Sequence, residues 1–301
     1  MRKATILTAI ALSASLSTLG CSSTDASRGE PPLPDRLEKV NMSSFDLPLD
    51  RYNLGNTEAL EVRMARDAVM INCVRQFGFT VPTPSYPRPF VDNKNERRYL
   101  LTSTSRARQH GYKWPEMTKA SASEKTPTLG TEVQAIISGD GPSVMSNKRV
   151  PDGGCLGEAN RHLKVDEAPG SDVDFVRRMD AKAYTAMKAD SRVLAATARW
   201  SSCMESMGYH YPNPGRANDD PAFNSTVASS VEIATAVADV SCKDKAGLID
   251  LMAAVETAYQ NREIGFARDR LDAILNRNNA QIELARATLL ELKSTSKAAG
   301  T

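Results

Sequence analysis

Five cysteines and three histidines are the side chains of this 301-residue chain best suited to covalent or metal chemistry, and their spacing restricts what they can do. Cys73 opens the phrase "CVRQFGFTVPTP" and Cys203 opens "CMESMGYHYPNP". Each reads Cys, three residues, a bulky apolar residue, Gly, an aromatic, and then two prolines one residue apart. Cys155 and Cys242 belong to a second matched pair, D-x-x-C-x-x-x-A, written from Asp152 to Ala159 and again from Asp239 to Ala246. Cys21 stands apart near the start. C-x-x-C spacing is absent, so neither a zinc site nor a dithiol redox couple is indicated. His110, His162 and His210 have no metal-ligand spacing to another His, Cys or carboxylate. Asp219 and Asp220 precede Pro221 in what reads as a turn or cap. No Gly-rich phosphate loop, G-x-S-x-G or H-E-x-x-H occurs. The residues therefore assign no catalytic group, no metal and no cofactor. The aromatics Tyr86, Phe90, Tyr112 and Trp114, set among prolines, are the candidate ligand surface; the alternative is that they cover a small core.

The N-terminal stretch "MRKATILTAIALSASLSTLGC" places Arg2 and Lys3 before a mildly apolar run and a small residue, the pattern of a secretory leader over residues 1–20. Thr18-Leu19-Gly20-Cys21 looks like a lipobox with Thr in place of the usual first Leu. It predicts lipidation of Cys21 and anchoring to a membrane. The alternative is ordinary leader cleavage, with Cys21 free or lost. Acyl burial contributes about 0.8 kcal/mol per CH₂, so two chains hold a protein stably at a membrane surface. Residues 21–42 are Ser, Pro and charge with few large apolar side chains, and read as a flexible tether. The formal net charge is +2, and loss of Arg2 and Lys3 with the leader brings it to zero. A neutral body argues against nucleic acid as a partner.

Export makes four remaining cysteines a disulfide framework. The order is the same in both copies: a helix bearing Cys and ending at Gly, a variable stretch, then D-x-x-C on a second helix. Of three possible connectivities, Cys73–Cys155 with Cys203–Cys242 respects that order; buried free thiols are the alternative. Leu60, Met64, Ala68 and Ile71 form one stripe before Gly78, and Val193, Ala196, Trp200, Cys203 and Met207 form another before Gly208. Both glycines suit the left-handed position that ends a helix, with Phe79 and Tyr209 folding back. Ser229 and Glu232 have capping-box spacing before the apolar Ile233 and Val237. Residues 118–154 are rich in Gly, Pro, Ser and Thr and read mostly as loop.

These signals predict a mainly α protein: a first helical module over 43–168 with a long loop insertion, a second over 169–246, and a long amphipathic helix with a short tail over 247–301. In that helix Leu271, Leu275, Asn278, Ile282, Ala285, Leu289 and Leu292 alternate four- and three-residue steps, a coiled-coil-like seam with one polar residue. An offset stripe upstream, from Leu248 to Phe266, suggests a bend near Gly265. The seam either packs back on the helix around Val193 to Met207 or meets another chain, an envelope protein being the candidate partner.

Taken together, the lipobox, "FDLPLDRYNL", the two C-x-x-x-[FM]-G-[FY] helix ends, "PDGGCLGEA" and "EIATAVADVSCK…VETAYQ" resemble a family of uncharacterised secreted lipoproteins of Gram-positive actinobacteria. The resemblance covers nearly the whole mature chain. It implies an extracytoplasmic, lipid-anchored location and disulfides, and brings no catalytic residues. Three classes of function remain: an envelope interaction or accessory protein, a binding protein for a small ligand or wall fragment working with a transport system, and a wall-modifying enzyme.

Overall fold

Ten α-helices succeed one another among the described residues of this computed structural model, which are 29–86, 93–114, 129–165 and 170–298, with side chains through Leu292. They are α1 (Asn56–Gln76), α2 (Thr104–His110), α3 (Thr131–Ser138), α4 (Gly154–His162), α5 (Asp172–Ala189), α6 (Ser191–Ser206), α7 (Pro214–Asn218), α8 (Ser230–Ala246), α9 (Leu248–Phe266) and α10 (Arg268–Ala298). Two 3-10 turns, Pro48–Tyr52 and Pro221–Phe223, and a two-residue hairpin accompany them. Strands β1 (Val144–Met145) and β2 (Lys148–Arg149) are antiparallel, with Val144 opposite Arg149. The chain is mainly helical, crosslinked twice and ends in a long helix. Cys21, Phe90 and the leader lie outside the described residues.

The repeat is clearest where α1 and α6 stop. Gly78 has φ +85° and Gly208 φ +88°, a backbone region closed to most side chains. Gly208 N–H donates to Glu205 O at 2.9 Å and Tyr209 N–H to Met204 O at 2.9 Å; Gly78 N–H donates to Arg75 O at 3.0 Å. The second halves diverge. Cys155 stands in the first turn of α4, whereas Cys242 is in the last turns of α8. Two expectations need correction. Part of the stretch read as loop forms α3 and the hairpin, because Val133 and Ile136 are three residues apart on one buried face. The tether ends earlier than residue 42. Pro31 and Met42 are buried, Leu33 and Val40 pack on the core, and Val40 N–H donates to Asp250 Oδ1 at 2.9 Å. Few apolar residues suffice there because prolines reduce the entropy that ordering removes.

Residues 31–301 form one compact unit, and its largest core draws residues from both sides of position 168. The largest core surrounds Trp200 and Met204 of α6, with Val240 of α8 and Leu248 and Val255 of α9. Tyr99, Leu101 and Tyr112, from the long insertion of the first copy, complete it. Conversely, α10, which follows the second copy, packs along α1 of the first. A smaller core of Val74, Phe77, Val133 and Ile136 encloses the first bridge.

Candidate functional site

The cysteines pair as the repeat predicts: Cys73 with Cys155 (Cα–Cα 5.6 Å) and Cys203 with Cys242 (5.7 Å). Both separations suit an ordinary disulfide. Cys73 and Cys155 are fully buried between α1 and α4, while Cys203 is half-buried and Cys242 Sγ lies 3.9 Å from Met207 Sδ.

One turn before the second bridge lies an ionic cluster that no sequence motif announced. Asp239 and Lys243, an i,i+4 pair on α8, are both inaccessible to solvent, with Lys243 Nζ 2.9 Å from Asp239 Oδ2. Lys243 Nζ also donates to Leu101 O at 2.8 Å, and Trp200 Nε1 donates to Asp239 Oδ1 at 2.9 Å. Burial pushes the Asp239 carboxyl up and the Lys243 amine down, and their mutual attraction opposes both shifts. The Tyr112 phenol is pushed up by burial and then by the Asp239 charge. Two turns earlier on the same face, buried Glu232 accepts Tyr112 N–H at 3.0 Å and lies 3.5 Å from Lys113 Nζ. Ser229 Oγ accepts Glu232 N–H at 3.1 Å, so half of the expected capping box forms; the Glu232 carboxylate turns inward to the insertion instead.

A second cluster spans α5 and α9. Arg98 binds Asp180 through both terminal nitrogens (2.9 and 2.8 Å) and pairs with buried Glu256, whose Oε2 accepts Tyr99 O–H at 2.9 Å. Gln260 donates to Asp180 Oδ1 and accepts Leu49 N–H, each at 2.9 Å, so the network runs from α9 to the first 3-10 turn. Burial lowers Arg98's tendency to stay charged, but the hydrogen bonds it donates to Glu256 and Asp180 outweigh that and raise its pKa. Burial pushes the Glu256 carboxyl up. These groups are bound to one another and hold α5, α9 and the first 3-10 turn in register.

The helical signal was available for the first cluster. Glu232, Ala236, Asp239 and Lys243 recur at steps of four, three and four, which puts three charged residues along one line of the helix. Arg98 gave no comparable signal, because its partners lie 82 and 158 residues away in sequence.

The C-terminal seam is occupied by its own chain. The helix breaks at Ala267 between α9 and α10, two residues from the expected bend. Leu271 is buried with Leu49, Tyr52, Val176 and Ile274, and Leu275 packs on that cluster. Asn278 Nδ2 donates to Tyr52 O at 2.9 Å. Ala285 and Leu289 join Val62, Ala65 and Leu163, while Ile282 stays half-buried beside a groove of about 690 Å³. The seam therefore meets α1, the Pro48–Tyr52 turn and Val176 of α5 rather than the helix around Val193 to Met207. The first two surfaces come from the first copy, and the repeat alone did not indicate them.

The aromatic surface disperses. Tyr112 is core, stacked on Phe223 at 5.9 Å. Tyr86 O–H donates to Asp67 at 3.0 Å, and burial and that carboxylate push its pKa up to about 12. Trp114 lies under the Arg97 guanidinium at 4.3 Å. His162 Nε2 is 3.1 Å from Thr288 Oγ1, and His210 is exposed near Glu205. Asp220 caps the second 3-10 turn and accepts Tyr211 O–H at 2.6 Å. A mixed-charge cleft of about 810 Å³ opens between residues 39–43, the start of α2 and the α8–α9 junction; its Lys39 and Asp244 are paired at 2.8 Å and its Arg106 binds Glu96 at 2.8 Å. Among the described residues no three His, Cys, Asp or Glu side chains are grouped as metal ligands would be, and no helix is long and apolar enough to cross a membrane.

Compared with known protein families, curated proteins and solved structures, the chain matches none.

Proposed function

We propose that this protein is an extracytoplasmic lipoprotein, anchored through Cys21 to the outer face of a bacterial cell membrane, that serves as an interaction or accessory protein of the envelope. The observation that carries this reading is the short run of chain between anchor and body. Packing on the core begins at Pro31, ten residues after the lipobox cysteine, and such a run extends at most about 35 Å. A body locked by two disulfides and held that near the bilayer is suited to meeting other membrane or wall components. The exposed side of α10 is the surface left for a partner on the C-terminal helix, since its seam is covered by α1.

Two measurements test the reading. Cys21→Ala should release the protein from the membrane fraction and abolish incorporation of labelled fatty acid; retention of both would refute the anchor. Crosslinking and mass spectrometry on intact cells should join Lys or Glu side chains of the body, including Glu283 on α10, to a recurrent envelope protein; crosslinks within this chain alone would refute the accessory role. Deleting residues 266–295 is not a usable test, because it uncovers α1. The 810 Å³ cleft favours a second reading, a binding lipoprotein for a small ligand or wall fragment attached to a transport system.

A further inference from the structure

A smaller pocket, of about 250 Å³, lies where α1, α10, the exit of α4 and the first turn of α5 meet. Its apolar lining comes from Leu54, Val62, Val165 and Val173. Around these, among the described residues, stand four cations, Arg63, Arg66, Lys164 and Arg277, and the carboxylate of Asp172. That carboxylate is already committed, since it accepts Arg277 and also Arg270 at 3.2 Å. The amide nitrogens of Asn278 and Gln281 are committed too, to Tyr52 O and Leu163 O at 2.9 Å. The remaining donors are cationic, and of these Arg66 already faces the Asp67 carboxylate. Arg66 Nε is buried without a hydrogen bond, 3.8 Å from Asp67 Oδ1. Arg63 rests on the Tyr86 ring at 5.2 Å. Lys164 is exposed and has no carboxylate partner among the described residues.

Lys164 also occupies an unusual backbone position. Its φ is +53°, and the hydrogen bonds Lys164 N–H to Arg161 O (3.3 Å) and Val165 N–H to Asn160 O (2.8 Å) close α4 in the geometry that ends α1 and α6 with glycine. A lysine is strained there, and strained residues persist where a ligand site needs them. We propose that this pocket binds a phosphate-type oxyanion carrying a short apolar group, with Arg63, Arg66 and Lys164 holding the oxyanion and the Leu54–Val62–Val165 surface covering the apolar part. Phosphate fits better than a carboxylate because a doubly charged group neutralises more of the cationic excess, and guanidinium groups bind its oxygens with directed hydrogen bonds. The site does not depend on the lipid anchor.

Titration calorimetry of the full chain at fixed ionic strength tests the proposal, with propyl phosphate as the probe and 1-propanol as the uncharged control. Saturable binding of propyl phosphate alone is expected. Arg63→Ala and Lys164→Gly should each weaken it about tenfold, the loss of one charge-assisted contact. Lys164→Gly should at the same time raise Tm by about 2 °C, because glycine relieves the strain. A soluble short-chain phosphatidic acid, also a phosphate monoester, replaces the probe in a parallel titration: tighter binding assigns the site to a lipid headgroup, weaker binding to a free phosphate ester. Absence of saturable binding by both probes, equal binding of 1-propanol, undiminished binding by either variant, or a lowered Tm for Lys164→Gly would overturn the proposal.

Discussion

Replacing Lys243 by Met removes the one counter-ion that, among the described residues, pairs with the fully buried Asp239 carboxylate, and its cost can be worked from the contacts. Asp239 keeps the Trp200 indole N–H at 2.9 Å but loses the ammonium at 2.9 Å, and Leu101 O loses its 2.8 Å donor. Breaking one side of a buried ion pair costs about 3–5 kcal/mol. The double variant Asp239→Leu/Lys243→Met should be milder. It leaves Leu101 O unpaired, about 1–3 kcal/mol, while Trp200 Nε1 retains the main-chain oxygen of residue 239 at 3.3 Å. The assay is urea unfolding followed by circular dichroism with the disulfides intact. The pH dependence gives an independent check. In Lys243→Met the Asp239 carboxyl folds best protonated, so its folded pKa lies above the unfolded value of about 3.9. The stability it supplies is complete below that value and is lost as pH rises through the folded pKa, so the single variant should be more stable at pH 5 than at pH 8. A cost below about 1 kcal/mol for Lys243→Met would mean that the pair is buried neutral rather than ionic. A double variant no milder than the single would refute the reasoning altogether.

Other expectations follow from separate contacts. Removing the bridges by paired Cys→Ser changes should cost about 4.5 kcal/mol for Cys73–Cys155 and about 4 kcal/mol for Cys203–Cys242, from loops of 82 and 39 residues; thermal unfolding without reductant measures both, and a loss under about 1 kcal/mol would contradict the chain-entropy account. Gly154→Ala places a Cβ against Ile137 O and 2.6 Å from Ile136 O at a position with φ +68°, so a loss of about 3 kcal/mol or more is expected. A variant with an unchanged Tm would show that α3 and α4 do not approach so closely. Asp190 caps α6 and binds Arg192 at 2.9 and 2.7 Å. Burial opposes its ionisation, but the Arg192 hydrogen bonds prevail and hold its pKa below the usual range. Its contribution is present above the unfolded pKa and lost as pH falls through the lower folded value. Asp190→Asn preserves the cap but not the charge; it should cost about 1–2 kcal/mol at pH 7, and the difference from the native protein should close in strong acid. A difference that persists there would assign the loss to packing.

The division between sequence and tertiary structure follows the range of the interactions. Helices, their glycine stops and the pairing of four cysteines were determined locally or by an internal repeat: periodicity places Trp200 and Cys203 on one face, and no residue but glycine fits easily at φ near +85°. The break after α9 showed in the offset of two apolar stripes. What covers each stripe was not determined that way. An apolar face specifies burial, but hydrophobic contact is non-directional and does not name its partner. Only the folded chain brought Tyr99 and Tyr112 of the first copy against α8 of the second, laid the α10 seam on α1, and drew residues 31–42 onto the core. The buried charges divide in the same way. Asp239 and Lys243 are legible four residues apart on one helix, whereas Arg98, Asp180 and Glu256 meet only because α5 and α9 pack side by side.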